Sequence, residues 1–125
     1  MKITSLPDAE LEVMQVIWKN KTPISTSQIN EILNQTRSWN VSALQTILNR
    51  LIAKNYLSST KQGKNRFYDI LIDEETYLSY ENKKYLKKVN SSVVKFVASL
   101  YDSKGLTKKD LEELHAFIDQ KTKGE

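Results

Sequence analysis

Cysteine is missing from this chain altogether, and histidine occurs once, as His115. The first absence excludes disulfides and thiolate metal sites. The second leaves His115 with no other histidine or cysteine at ligand spacing, and leaves the serines with no histidine base. Three glycines cannot supply a loop that cradles phosphate. The adjacent Glu112 and Glu113 point in different directions on a helix, so they do not make a paired acid and base. We therefore expect no enzyme, no metal and no cofactor. No apolar run approaches the roughly 20 residues that cross a bilayer, and the opening MKITSLPDAE lacks a stretch of signal-peptide type. An intracellular, cytoplasmic protein without a membrane partner is the expectation.

Acidic residues are also missing, from one long segment. Between Ile32 and Tyr68 the chain carries Arg37, Arg50, Lys54, Lys61, Lys64 and Arg66 and neither Asp nor Glu. The net charge is only +4, yet residues 1–72 hold 9 Lys and Arg against 5 Asp and Glu, while residues 73–125 hold 10 against 10. The whole excess lies in the first part. Such a block suits a polyanion, although a basic surface without any partner has the same composition.

What is present is mostly helical. DAELEVMQVIWKN has Leu11, Met14, Ile17 and Trp18 on one face, with Asp8 and Glu10 near its positive N-terminal end. KTPIS interrupts it at Pro23. Ser25 with Gln28 forms a capping-box pattern that opens TSQINEILNQ, whose Ile29, Ile32 and Leu33 face inward. Asn40 is a cap for a third helix to about Lys54, and Asn55 suits the left-handed conformation that ends it. The period then changes: YLSSTK and RFYDILI are short β-prone runs joined by QGKN, where Gly63 and Asn65 suit a hairpin turn. Three helices followed by a basic hairpin predict a winged helix-turn-helix domain over residues 1–72.

From Asp73, a good N-cap, the pattern is helical again. Tyr77, Leu86, Val89, Val93, Val97 and Leu100 recur on one face of one long helix or two shorter ones broken near NSS. Gly105 stops the run. Thr107 with Asp110 makes a second capping box, flanked by Leu106 and Leu111 at the spacing of a hydrophobic staple, and Leu111, Leu114 and Ile118 share a face of the last helix. With no sheet left to cover, these stripes call for each other or for a second copy. A homodimer with two-fold symmetry would bury them reciprocally, making residues 73–125 a helical dimerisation domain. The fold class is mainly α with a small β-hairpin wing.

The third helix, NVSALQTILNR, is the most informative stretch. Val41, Leu44, Ile47, Leu48 and Leu51 recur at helical spacing, and the other face carries Ser42, Gln45, Thr46, Asn49 and Arg50. A solvated face would usually alternate Glu and Lys; this one has hydrogen-bonding groups and one positive charge. An α-helix fits the major groove of DNA, where Gln pairs with adenine and Thr meets a base edge or a thymine methyl. Arg50, Lys54, Lys61, Lys64 and Arg66 would hold phosphates. Trp18, Trp39 and Tyr68 read as core.

DAELEVMQVIW, SWNVSALQTILNRLIAKNYL, KQGKNRFYDI and LTKKDLEELHAFID, in that order, resemble the penicillinase repressor family, the BlaI/MecI/CopY group of bacterial transcriptional regulators. The likeness spans nearly the whole chain. It implies a winged-helix DNA-binding domain, a helical dimerisation domain and control of a resistance or stress-response gene; the two-fold symmetry of the dimer calls for a double-stranded operator of inverted-repeat form. It also implies that Ser42, Ala43, Gln45 and Thr46 face the groove. Better-known members tend to have Lys, Thr and Arg where this chain has Ser42, Ala43 and Gln45, which bears on the operator sequence. Resistance repressors of the family are inactivated by a regulatory protease at an Asn-Phe bond, and that position corresponds to Ser99-Leu100 here. Copper-responsive members carry a cysteine cluster, which this chain lacks. Two rival readings stay open: a winged-helix protein-interaction module without DNA binding, and a regulator gated by a small ligand.

Overall fold

Local signals set where most elements start. The computed structural model describes residues 3–124. Helix α1 (Asp8–Trp18) follows Pro7, with Asp8 and Glu10 in its first turn. Strand β1 (Ile24–Ser25) comes next, and helix α2 (Thr26–Leu33) opens with the expected box: the Gln28 N–H donates to Ser25 Oγ at 3.2 Å and the Ser25 N–H to Gln28 Oε1 at 2.9 Å. Helix α3 (Val41–Ala53) ends at Asn55, whose φ of 64° is left-handed as its residue type allows. Strands β2 (Leu57–Gln62) and β3 (Asn65–Ile70) form the hairpin, closed by Gly63 and Lys64. Gly63 holds a φ of 63° at the first turn position, where a left-handed residue matches the twist of the two strands. Asn65 is not left-handed; it pairs with Gln62 as the first residue of β3.

The sheet has a third strand that the sequence reading did not contain. Ile24 pairs with Tyr68 and Ser25 with Phe67, giving the antiparallel order β1-β3-β2. Two residues are too short to show alternation, so only pairing with β3 defines this strand. It ties the start of α2 to the hairpin.

The core gathers Val13, Met14 and Ile17 from α1, Ile29 and Leu33 from α2, Leu44, Ile47, Leu48 and Leu51 from α3, and Tyr56, Leu57 and Tyr68 around the sheet. Val13, which the sequence reading passed over, is fully buried, while Leu11 and Trp18 are half-buried. Val41 corrects the expectation for α3: it stays 56% exposed, because the first residue of the helix projects beyond the core that Leu44 begins.

Helix α4 (Glu74–Lys88) is capped by Asp73, whose carboxylate accepts the Thr76 N–H at 2.8 Å; hydrogen bonding to Thr76 holds that carboxyl below its ordinary value. Tyr77 is 3% exposed, meets Trp18 at a tilt and Tyr56 edge to face, at 5.6 and 5.9 Å between ring centroids, and accepts the Leu6 N–H at 3.0 Å. Trp18 in turn donates its indole N–H to the Ile72 carbonyl at 2.9 Å. The first compact unit accordingly extends over Met1–Asn82, and the second over Lys83–Glu125. The change of period at Asp73 marks the start of a helix, whereas the division between units falls inside α4.

The second unit holds the end of α4, α5 (Val93–Asp102) and α6 (Lys108–Lys123). Ser92 caps α5 by accepting the Lys95 N–H at 3.1 Å, so the break near NSS is real. Thr107 and Asp110 exchange the two bonds of a capping box at 3.0 and 2.9 Å. The left-handed residue that ends α5 is Lys104, with φ 62°, rather than Gly105; the Gly105 N–H reaches the Leu100 carbonyl at 2.7 Å.

Candidate nucleic-acid interface

Helix α3 is aimed from its first turn. Asn40 Oδ1 accepts the N–H groups of Ser42 at 2.7 Å and Ala43 at 3.4 Å, satisfying two amides that a helix start would leave bare. Trp39 and Leu44, both in the core, stand at the spacing of a hydrophobic staple and fix the entry angle. With Leu44, Ile47, Leu48 and Leu51 turned inward, Ser42, Ala43, Thr46, Asn49 and Arg50 are left exposed and Gln45 half-buried. The hydroxyl of the exposed Thr46 donates to the Ser42 carbonyl at 3.1 Å, which uses its hydrogen and leaves its oxygen able to accept.

The hairpin supplies charge beside this face. Lys61 and Arg66 are directly opposed across β2 and β3, and Lys64 sits in the turn; all three are exposed. Like charges opposed on a sheet repel and destabilise the pair. None of the three has a carboxylate in ion-pair range among the described residues. An anion placed over the hairpin would relieve that repulsion. Lys61, Lys64, Asn65 and Arg66 form one wall of an open groove of about 450 Å³, with Gln45 and Asn49 of α3 and Ser25, Thr26 and Ser27 at the start of α2 as the others.

Not every cation read from the acid-free segment is free. Lys54, expected to hold phosphate, has its Nζ bonded to Glu10 Oε1, a carboxylate that is 4% exposed, so in this structure it neutralises a buried charge from α1. Arg37 pairs with Glu12 at 2.9 Å, which raises its pKa through that hydrogen bond, and lies over the Trp39 ring at 4.4 Å from the centroid. Both acids lie outside the segment along the chain and reach it only through the packing of α1. Conversely, Ser25, Thr26, Ser27 and Asn65 were missed. The run of three hydroxyl residues at a helix start read as a cap, and Asn65 read only as a turn residue.

In the second unit, Leu86, Val97, Leu100 and Leu114 are half-buried, while Val89, Val93, Leu111 and Ile118 are exposed by 45, 63, 38 and 51%. Tyr85, Val94, Phe96, Tyr101 and Phe117 are exposed as well, and Tyr85 meets Phe96 edge to face at 6.0 Å. The Ser99-Leu100 bond lies inside α5, with Ser99 exposed. Among the described residues no cluster could hold a metal ion, and no helix is long and apolar enough to cross a membrane.

The family model described as Penicillinase repressor matches residues 6–120. The penicillinase repressor of Bacillus licheniformis is 32% identical over 120 residues, spanning 95% of this chain and 93% of its own. The methicillin resistance regulatory protein MecI of Mammaliicoccus sciuri is 30% identical over 125 residues, 96% of this chain and 98% of its own. Among solved structures, the DNA-binding domain of the repressor BlaI superposes with a TM-score of 0.54 at 43% identity, covering 61% of this chain and 92% of that one. The monomeric form of Bacillus licheniformis BlaI in complex with the blaP half-operator superposes with a TM-score of 0.51 at the same identity and coverage.

Proposed function

Because the chain belongs to the penicillinase repressor family, we propose that it is a DNA-binding transcriptional repressor, acting in the cytoplasm as a homodimer on an inverted-repeat operator. The observation that carries this reading is the groove in which the polar face of α3 stands beside the uncompensated Lys61, Lys64 and Arg66. An α-helix enters the major groove with its N-terminal residues on base edges, so Ser42, Ala43, Gln45, Thr46 and Asn49 read sequence. Arg50 and the three hairpin cations bind phosphates and set the register. A solved relative at 43% identity, in complex with a half-operator, supports operator DNA as the partner. The relatives named for penicillinase and methicillin resistance support a resistance gene as the target.

Two-fold symmetry comes from the second unit, where Val89, Val93, Leu111 and Ile118 stay exposed and Leu86, Val97, Leu100 and Leu114 are only half-buried in the single chain. Leu86, Val89, Val93, Val97, Leu100, Leu111, Leu114 and Ile118 pack on a second copy, and the operator half-sites then lie about one helical turn or a multiple apart. Relief by a protease at Ser99-Leu100 requires α5 to open locally first, since a helical peptide bond is closed into its own ladder.

The test is fluorescence polarisation with duplex DNA selected from a random pool, across a salt series. Binding to an inverted repeat is expected. Lys64→Ala should weaken all sequences alike and reduce the salt slope by about 0.9, one phosphate's worth, while Lys54→Met should leave the slope unchanged. No affinity for any duplex would sink the repressor reading and favour the protein-interaction module.

A further inference from the structure

Gln45 and Asn49 stand one turn apart on α3, separated by only about 40° around the helix axis. Gln45 Nε2 carries two hydrogens, and both are used inside the protein. One goes to Asn49 Oδ1 at 3.1 Å and the other to the Tyr68 hydroxyl at 3.3 Å. Tyr68 is completely buried as a side chain, pinned on the central strand between Ile24 and Ser59, and its hydroxyl also takes the Thr26 hydroxyl at 3.4 Å. The relay from α2 through β3 to α3 holds the Gln45 amide with Nε2 turned toward Asn49 and Tyr68. What it leaves over is Gln45 Oε1, an acceptor, and Asn49 Nδ2, a donor, neither with a hydrogen-bond partner among the described residues. Both residues line the open groove.

Resting on the reading of α3 as the groove helix, we infer that Gln45 and Asn49 together read one adenine, Gln45 Oε1 accepting from N6 and Asn49 Nδ2 donating to N7. A free glutamine does this alone with its own oxygen and amide hydrogen. Gln45 cannot, having no amide hydrogen left, so its neighbour supplies the donor. The pair selects by the order of groups on the base edge. Adenine offers a donor beside an acceptor; guanine offers two acceptors, one of which would face Oε1; cytosine offers only a donor and thymine an acceptor with a methyl. Tyr68 acts as the positioning residue that holds the Gln45 amide beside Asn49.

The test uses the full chain and the duplex it selects from a random pool, with the key adenine replaced in turn by purine, which lacks the 6-amino group, and by 7-deazaadenine, which lacks N7. Each replacement should weaken binding roughly five- to tenfold, one bond of a bidentate pair. Asn49→Asp keeps an acceptor for the Gln45 amide but turns the outward donor into an acceptor. In that variant the purine penalty should persist while the 7-deazaadenine penalty reverses sign, so that removing N7 improves binding relative to adenine. Tyr68→Phe frees an amide hydrogen of Gln45 and should narrow the preference for adenine over guanine more than it lowers affinity for the best site. If Asn49→Asp left both penalties unchanged, Gln45 would be reading alone; if it removed both, Asn49 would be. Either result overturns the two-residue reader, as does a selected site with no adenine sensitive to both analogues. Failure to bind any duplex overturns the repressor reading itself, a distinct outcome.

Discussion

In the first compact unit Ile17, Leu44, Leu48 and Tyr68 lose all contact with water, whereas in the second Val93, Val94, Phe117 and Ile118 keep more than half of theirs. Composition does not explain the contrast. Helix α5 reads VVKFVASLYD and is as apolar as α3, yet α3 is covered by two other helices and a sheet, and no residue of α5 is buried. An apolar stripe stabilises a fold only where another surface removes it from water. The first unit carries that surface within itself; the second leaves its stripe half-buried or exposed, and in our reading the missing surface is a second copy.

The largest expected effect comes from removing the second surface outright. A chain ended at Leu100 lacks α6, so it should sediment as a monomer, keep the circular dichroism of the winged unit and lose about 10² to 10⁴ in operator affinity as the linked second half-site disappears. Full affinity and dimerisation in that truncated chain would break the contrast between the units. Next in size are single truncations on either side. Leu48→Ala should cost about 2–5 kcal/mol in denaturant unfolding of the first unit whatever the protein concentration. Ile118→Ala should act mainly through the dimer, with a loss of stability that shrinks as concentration rises.

A smaller effect follows from Tyr56, whose hydroxyl donates to the Thr4 carbonyl in the first unit. Burial, with Tyr77 and Glu81 nearby, pushes its pKa up from 10.0 to about 12. Burial likewise raises that of Tyr77. Between these values the unfolded chain has lost the proton and the folded one retains it, so stability is intact below pH 10 and falls as pH rises toward 12. Unfolding titrations at successive pH values should show that fall, and Tyr56→Phe should make it shallower. The second unit contains no buried tyrosine, so the alkaline limb belongs to the first. The smallest effect is expected at Lys104, a non-glycine residue held at φ 62°. Lys104→Gly should stabilise the second unit by less than about 1 kcal/mol, read as a slightly higher melting temperature at fixed concentration.

The elements that were legible in the sequence are those whose signals are local. The Asn40 cap, the two capping boxes, the Asp73 cap and the turn at Gly63 each involve residues at most four apart, and each is found where its residue types put it. Val41 shows where the same logic stops. Helical spacing continues through it, but whether the first turn is covered depends on what lies above the core. Strand β1 has too few residues to carry a pattern, and the left-handed Lys104 has no residue-type signal at all.

The candidate site divides in the same way. The sequence by itself determined the polar, acid-free face of α3, the positive sign of the hairpin and the family, because these depend on residue identity and order. Only the tertiary structure decided which of the cations are free, since Glu10 and Glu12 lie 44 and 25 residues from their partners and meet them through the packing of α1. It also decided that Gln45 is tied to Tyr68, 23 residues away, and so which hydrogen-bonding groups the groove presents. A charge or an amide acts by what remains after its neighbours have bonded it, and those neighbours are chosen by the fold.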